Sequence, residues 1–319
     1  MIKFALYIVA TFVTINAKVE AFLSPQQRCV AFSPANFALK ATPTEAIILL
    51  ENSQASSLDK IASSIPDLES KPDLSWNSAD GVQVNGNPAI LDGRDAPGPA
   101  NVAWLAAVNV ANKMSSLTIF NGPLTIAPHL LSRCIINDDN TVSFALDFRP
   151  RGYGAYETKD PEGNYPGPET LGRVAFTYSG NRKEYETKFG TSEVESFFQS
   201  TLDSFEDSVI DTEANEFEKL TQGPLSVKVT MPLTDGNVAA VAAAREKAVD
   251  YWLTWALEDT HAHRPGAPIN TQYVYDAKYR QNAYQGLLPC YSAAFGADGA
   301  GVCAAESGPL DEGYVGGGS

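Results

Sequence analysis

The chain has 319 residues, of which 23 are Lys or Arg and 38 are Asp or Glu, a formal charge of −15. That balance excludes a protein that grips nucleic acid through a general basic surface, which needs clustered cations. An apolar fraction of 44% with 10% aromatics belongs to a folded chain, and four cysteines are too few for a disulfide scaffold.

Met1 to Ala17 read as a signal sequence, with Lys3 as the positive start and an apolar run behind it. The run falls short of the roughly 20 apolar residues that a membrane span takes. From Ala21 to Thr44 there is no acidic residue, while Arg28 and Lys40 sit among Ser, Thr, Pro and small residues. This composition is that of a transit peptide. The junction Ala21-Phe22-Leu23-Ser24-Pro25 resembles the A-F-x-x-P boundary of bipartite presequences in algae with complex plastids. The expected address is the plastid, with residues 1–20 as signal peptide and 21–45 as transit peptide; secretion is the alternative. Residues 46–75, rich in serine, read as a linker or one short helix.

Val102 to Met114 reads as a helix by its alanine content and apolar spacing. Leu117 to Ile126 and Leu130 to Ile136 are short apolar runs. The turn Asn137-Asp138-Asp139-Asn140 then leads into a strand over Thr141 to Phe148, which suggests a hairpin. A loop follows from Gly152 to Gly167, then a strand over Arg173 to Tyr178. Glu193 to Lys219 carries nine acids against one lysine, with Phe198, Leu202, Phe205 and Val209 at helical spacing. It reads as one amphipathic helix with an acidic outer face. Leu225 to Met231 is a strand, and Val238 to Glu258 is the longest helix, with Val249, Trp252, Leu253 and Ala256 on one face. The Gly-rich sequence from 296 to 319 reads as a disordered tail. The order of elements predicts an α+β fold, an α/β/α sandwich with a central, mostly antiparallel sheet flanked by helices. The body of that domain spans residues 76–295.

The usual nucleotide-binding and hydrolase motifs are missing. His261 and His263 could be metal ligands or part of a helix C-terminal turn, and two ligands do not make a site. Cys134, Cys290 and Cys303 lack the spacing of a zinc site. The segments Ala127-Pro128-His129-Leu130-Leu131-Ser132-Arg133 and Ala145-Leu146-Asp147-Phe148-Arg149-Pro150-Arg151 flank the expected hairpin. Alternation along a strand puts Asp147 and Arg149 on one face. Such a cluster suits either carboxylate recognition or an ion pair at a strand end.

The stretch APHLLSRCIINDDNTVSFALDFRPR resembles the red chlorophyll catabolite reductases, which read APH or APN, then a strand ending in L-D-x-x-P-R. It is also similar to the L-D-F-x-P strand of the ferredoxin-dependent bilin reductases. Ser115 to Ile119 looks like the first family's S-L-N-I stretch. Tyr275-Asp276-Ala277-Lys278-Tyr279-Arg280 followed by Gly286-Leu287-Leu288 resembles the bilin reductases' C-terminal motif. The resemblance covers about residues 100 to 295. It implies reduction of an open-chain tetrapyrrole by electrons from reduced ferredoxin, with no bound flavin or metal. Each electron makes the pigment more basic, so proton donors are needed, and a buried carboxyl can serve. The resemblance assigns this role to Asp276, with His129 and Asp147 as further catalytic candidates. Arg133, Arg149, Arg151 and Arg280 become candidates for the pigment's propionates. The chain departs from the family at Arg133, where the catabolite reductases carry Glu. That departure leaves open a second class, a non-catalytic pigment binder or chaperone.

Without residues 1–44 the chain holds 19 basic against 37 acidic residues, a net −18. Ferredoxin is acidic too, so docking needs a local basic face. Residues 149–188, with seven basic and six acidic side chains, are the candidate.

Overall fold

The computed structural model describes residues 42–77, 80–151, 188–258 and 269–308. The loop from Gly152, the strand over Arg173 to Tyr178, the candidate docking face beyond residue 151 up to 187, His261 and His263, the two presequences before residue 42 and the chain after residue 308 lie outside these.

Helix α1 (Pro43–Ser64) starts in a capping box: Thr42 accepts from the Glu45 N–H, and the Glu45 carboxylate accepts from Thr42. Buried Ile47, Leu50, Gln54, Leu58 and Ile61 recur at helical spacing, and this stripe packs on α4 (Asp235–Ala256) and the sheet. The segment expected as a linker or one short helix therefore supplies a 22-residue core helix. Its apolar stripe is diluted by small serines that still fit at the helix–helix contact.

The sheet contains β1 (Glu69–Ser70), β2 (Gln83–Val84), β3 (Asn87–Ala96), β4 (Val102–Val110), β5 (Met114–Asn121), β6 (His129–Ile136), β7 (Thr141–Arg149), β8 (Val209–Ile210) and β9 (Ser226–Pro232). The spatial order is β1-β3-β4-β5-β6-β7-β9-β8, with β2 on β3, and every described pairing is antiparallel. The α+β expectation holds.

The helix expected over Val102 to Met114 is instead β4, a turn and the first residue of β5. Asn112 takes the left-handed conformation at φ 60° in that turn. The misreading has a physical cause. Strands β4 to β7 are covered by helices on both faces, so they lack the polar alternation that marks a half-buried strand. Alanine, a weak strand former, fits there because it is small.

One face of the sheet, carrying Leu105, Ile119, Leu130, Phe144, Leu146 and Phe148, packs on α1, α4 and α2 (Ser192–Asp203). The other meets α5 (Ile269–Phe295) and α6 (Gly299–Ser307) through Trp104, Val108, Phe120, Tyr279, Leu287 and Tyr291. The acidic helix ends at Asp203 rather than Lys219. Val209, expected on its apolar face, is exposed on the edge strand β8, and a separate helix α3 (Glu216–Thr221) follows. The tail expected to be disordered contains α6, with Val302, Cys303 and Glu306 fully buried. Gly299 permits this seat, because a β-carbon there would collide with the Tyr291 backbone. No described helix is long and apolar enough to cross a membrane.

Candidate functional site

The strand register explains why the polar residues of the hairpin converge. Opposite Arg149 stands His129, opposite Asp147 stands Leu131, and Ser116 of β5 stands opposite Arg133. With a period of two, Ser116, Thr118, Phe120, His129, Arg133, Asp147 and Arg149 all face the α5–α6 layer. From α5 come Asp276, Tyr279 and Arg280, from α6 comes Glu306, and Arg151 follows β7. His129, Arg133, Asp147, Arg149, Arg151 and Asp276 are all buried. Arg280 is partly exposed.

His129 sits between Phe120 and Tyr279, its ring 5.3 and 4.8 Å from theirs. Its Nδ1 accepts from the Asn121 N–H at 3.0 Å, so the proton of the neutral ring is on Nε2. Nε2 has no hydrogen-bond partner among the described residues. Burial, then the charges of Arg151, Arg149 and Arg280, holds this imidazole well below the usual histidine range. It is a neutral donor at physiological pH.

Asp147 accepts from the Gly223 N–H with both oxygens at 3.1 Å and from Arg149 Nε at 3.1 Å. Burial pushes its pKa up to about 6, in spite of Arg149. Gly223 lies so close that a β-carbon would overlap Asp147 Oδ1 and the Phe148 carbonyl oxygen. Gly223→Ala is therefore expected to destabilise the protein by about 1–3 kcal/mol, read as a lower urea midpoint. A variant as stable as its parent would show that this carboxylate has room to move.

Asp276 lies within α5 rather than at its N-terminus, and its carboxylate accepts from Arg151 Nη2 at 2.6 Å. Arg151 also donates to the Thr125 carbonyl at 2.9 Å, while its Nε has no partner among the described residues. Arg280 donates to the Ser307 carbonyl at 2.9 Å and lies 5.8 Å from the Phe120 ring centre. Arg133 lies 5.3 Å from the Tyr291 ring centre, and its buried Nη1 is without a partner among the described residues. It forms part of the wall of a cleft of about 750 Å³ between α3, β9 and α5, within the range of small-molecule sites.

Sequence reading missed two members of this layer. Tyr279, inside the quoted C-terminal motif, donates to the Thr221 carbonyl at 2.6 Å and stands against His129. Glu306 accepts from Thr118 Oγ1 at 2.7 Å and Ser116 Oγ at 3.5 Å. Burial raises its carboxyl and Arg133 opposes the shift. An acid in an Ala/Gly-rich stretch offered no signal for it. No described group of three or more His, Cys, Asp or Glu is arranged as a metal site, and Cys134, Cys290 and Cys303 are free thiols.

In sequence, no family model and no curated protein matches the chain. In structure it is similar to phytochromobilin synthase from tomato, solved in complex with biliverdin. The TM-score is 0.51 at 10% identity, over 81% of this chain and 83% of that one. The two share a fold.

Proposed function

We propose that the protein binds an open-chain tetrapyrrole between the sheet and α5 and reduces it with electrons from reduced ferredoxin in a plastid. The observation that carries this reading is the buried layer with donor atoms left open, His129 Nε2, Arg133 Nη1 and Arg151 Nε. Buried donors are rarely left unsatisfied, and a ligand with lactam oxygens and carboxylates would engage them. The similarity in fold to an enzyme whose structure holds biliverdin supports the same ligand class.

Reducing one double bond takes two electrons, delivered singly by two ferredoxins, and two protons. Asp147, with a pKa of about 6, can hold a proton and release it to a pigment made basic by an added electron. His129 would hydrogen-bond a pigment oxygen through Nε2–H. Asp276, whose carboxylate accepts from Arg151, is the other candidate donor.

A second reading, a non-catalytic pigment binder, is favoured by two observations. Arg133 stands where the resembling reductases carry Glu, and Asp276 is engaged by Arg151 at 2.6 Å. The deciding experiment mixes the protein anaerobically with biliverdin or red chlorophyll catabolite, then adds ferredoxin and its reductase. A product spectrum that develops with time is expected. A shifted but static pigment spectrum would leave the binder, and no spectral change with either tetrapyrrole would exclude both readings.

A further inference from the structure

The four candidate arginines are not equivalent once their partners are counted. Arg149 is engaged by Asp147, Arg151 by Asp276 and the Thr125 carbonyl, and Arg280 by the Ser307 carbonyl. Arg133 differs. It is 5% exposed, its Nη1 is unpartnered among the described residues, and its guanidinium lies over the ring of Tyr291. It is also the one of the four that lines the cleft between α3, β9 and α5.

Of the other charged groups that line the cleft, Asp211, Glu218 and Lys228 are matched to one another, while Glu213 and Lys219 lie at its rim. Lys228 pairs with Asp211 at 3.0 Å and Glu218 at 3.1 Å and donates to the Glu213 carbonyl at 2.7 Å. On the far side, Glu306 is held by Thr118 and Ser116. The charges of Glu306 and Glu218 favour the charged form of Arg133 from a distance, but no carboxylate among the described residues bonds it directly, and a carboxylate brought by a ligand would add charge-assisted bonds. The planar fork of arginine fits a carboxylate in a way an ammonium does not.

We infer that this cleft is a carboxylate subsite, in which Arg133 takes one acid side chain of the bound pigment. That end of the ligand then lies between α3 and α5. The inference rests on the tetrapyrrole reading and adds an orientation to it.

The test titrates biliverdin and its dimethyl ester separately into the wild type, Arg133→Met and Arg133→Lys, following the pigment absorbance. Wild type should bind the free acid at least about tenfold more tightly than the diester, as one charge-assisted contact provides. Arg133→Met should lower free-acid affinity toward that of the diester and so erase most of that preference, and Arg133→Lys should restore part of it. Equal wild-type affinity for acid and diester would overturn the subsite while leaving the tetrapyrrole reading intact, and this comparison needs no variant. An equal loss for both ligands in Arg133→Met would show a packing role instead. Failure of wild type to bind either pigment would overturn the tetrapyrrole reading and the subsite with it.

Discussion

Asp147→Asn is expected to lower turnover by about 10²–10⁴-fold, the usual contribution of a positioned proton donor, while the pigment still binds. Asparagine keeps an acceptor for the Gly223 N–H but has no proton of the right acidity to give. In the proposed reaction the protonated carboxyl is the donor, so activity should fall as pH rises above about 6, where Asp147 ionises. The variant should lose that limb of the profile. Asp276→Asn, measured beside it, reports whether the carboxyl paired with Arg151 is also needed. Turnover within a few-fold of wild type in Asp147→Asn would remove this residue from the proton path. Stability carries the same signature. The folded pKa lies above the ordinary value of 3.8, so between about pH 4 and 6 the native form binds the proton more readily than the unfolded chain. Wild type should therefore lose stability relative to Asp147→Asn as pH rises through that window. His129 acts in the opposite sense. Its depressed pKa makes the protein lose stability as pH falls through the ordinary histidine range, a loss that Asp147→Asn should share with the wild type.

Arg245→Met should give the largest loss of stability, about 3–5 kcal/mol and on the order of 10 °C in melting temperature for a domain of this size. Arg245 is fully buried in α4 on the apolar side of the sheet. It donates to the Leu50 carbonyl at 2.8 Å, to Ser115 Oγ at 3.0 Å, to the Ser115 carbonyl at 2.9 Å and to Ser132 Oγ at 3.1 Å. One side chain thus ties α1, α4, β5 and β6 together. Among the described residues no carboxylate pairs with it. Burial lowers its pKa to about 10, so it stays charged at neutral pH. Met fills a similar volume but leaves these acceptors without a donor, and buried acceptors are costly to strand. Urea unfolding is the measurement. A change below about 1 kcal/mol would mean that the desolvation of the guanidinium cancels its bonds.

Much of the site was legible in one dimension because it lies on a hairpin. Alternation along β7 placed Asp147 and Arg149 on one face, and the ion pair at 3.1 Å agrees. The motif around Asp276 located the second carboxyl. The pairing of that carboxyl with Arg151 could not be read, because 125 residues separate the two and the contact depends on how α5 crosses the sheet. Arg245 shows the same limit from the other side. In sequence it is a charge in an alanine-rich helix, and helix periodicity cannot tell a solvated arginine from one that reaches a carbonyl on another element.

What the chain determined by itself was local. Its turn residues, caps and apolar runs marked β5 to β7, β9 and α4, along with the α+β class and the acidic charge. Those signals arise from steric and hydrogen-bonding preferences of neighbouring residues, which act without the rest of the fold. Tertiary structure decided the remainder. Burial on both faces turned Val102 to Met114 from an apparent helix into β4 and a turn. Contact with α4 made a core helix of the serine-rich 43–64 segment, and close approach at Gly299 brought Glu306 under the sheet. Above all, the fold determined which charges are matched and which stay open. Arg133 is in sequence one arginine among several, and only the pairing of its neighbours leaves it facing a cleft with a donor to spare.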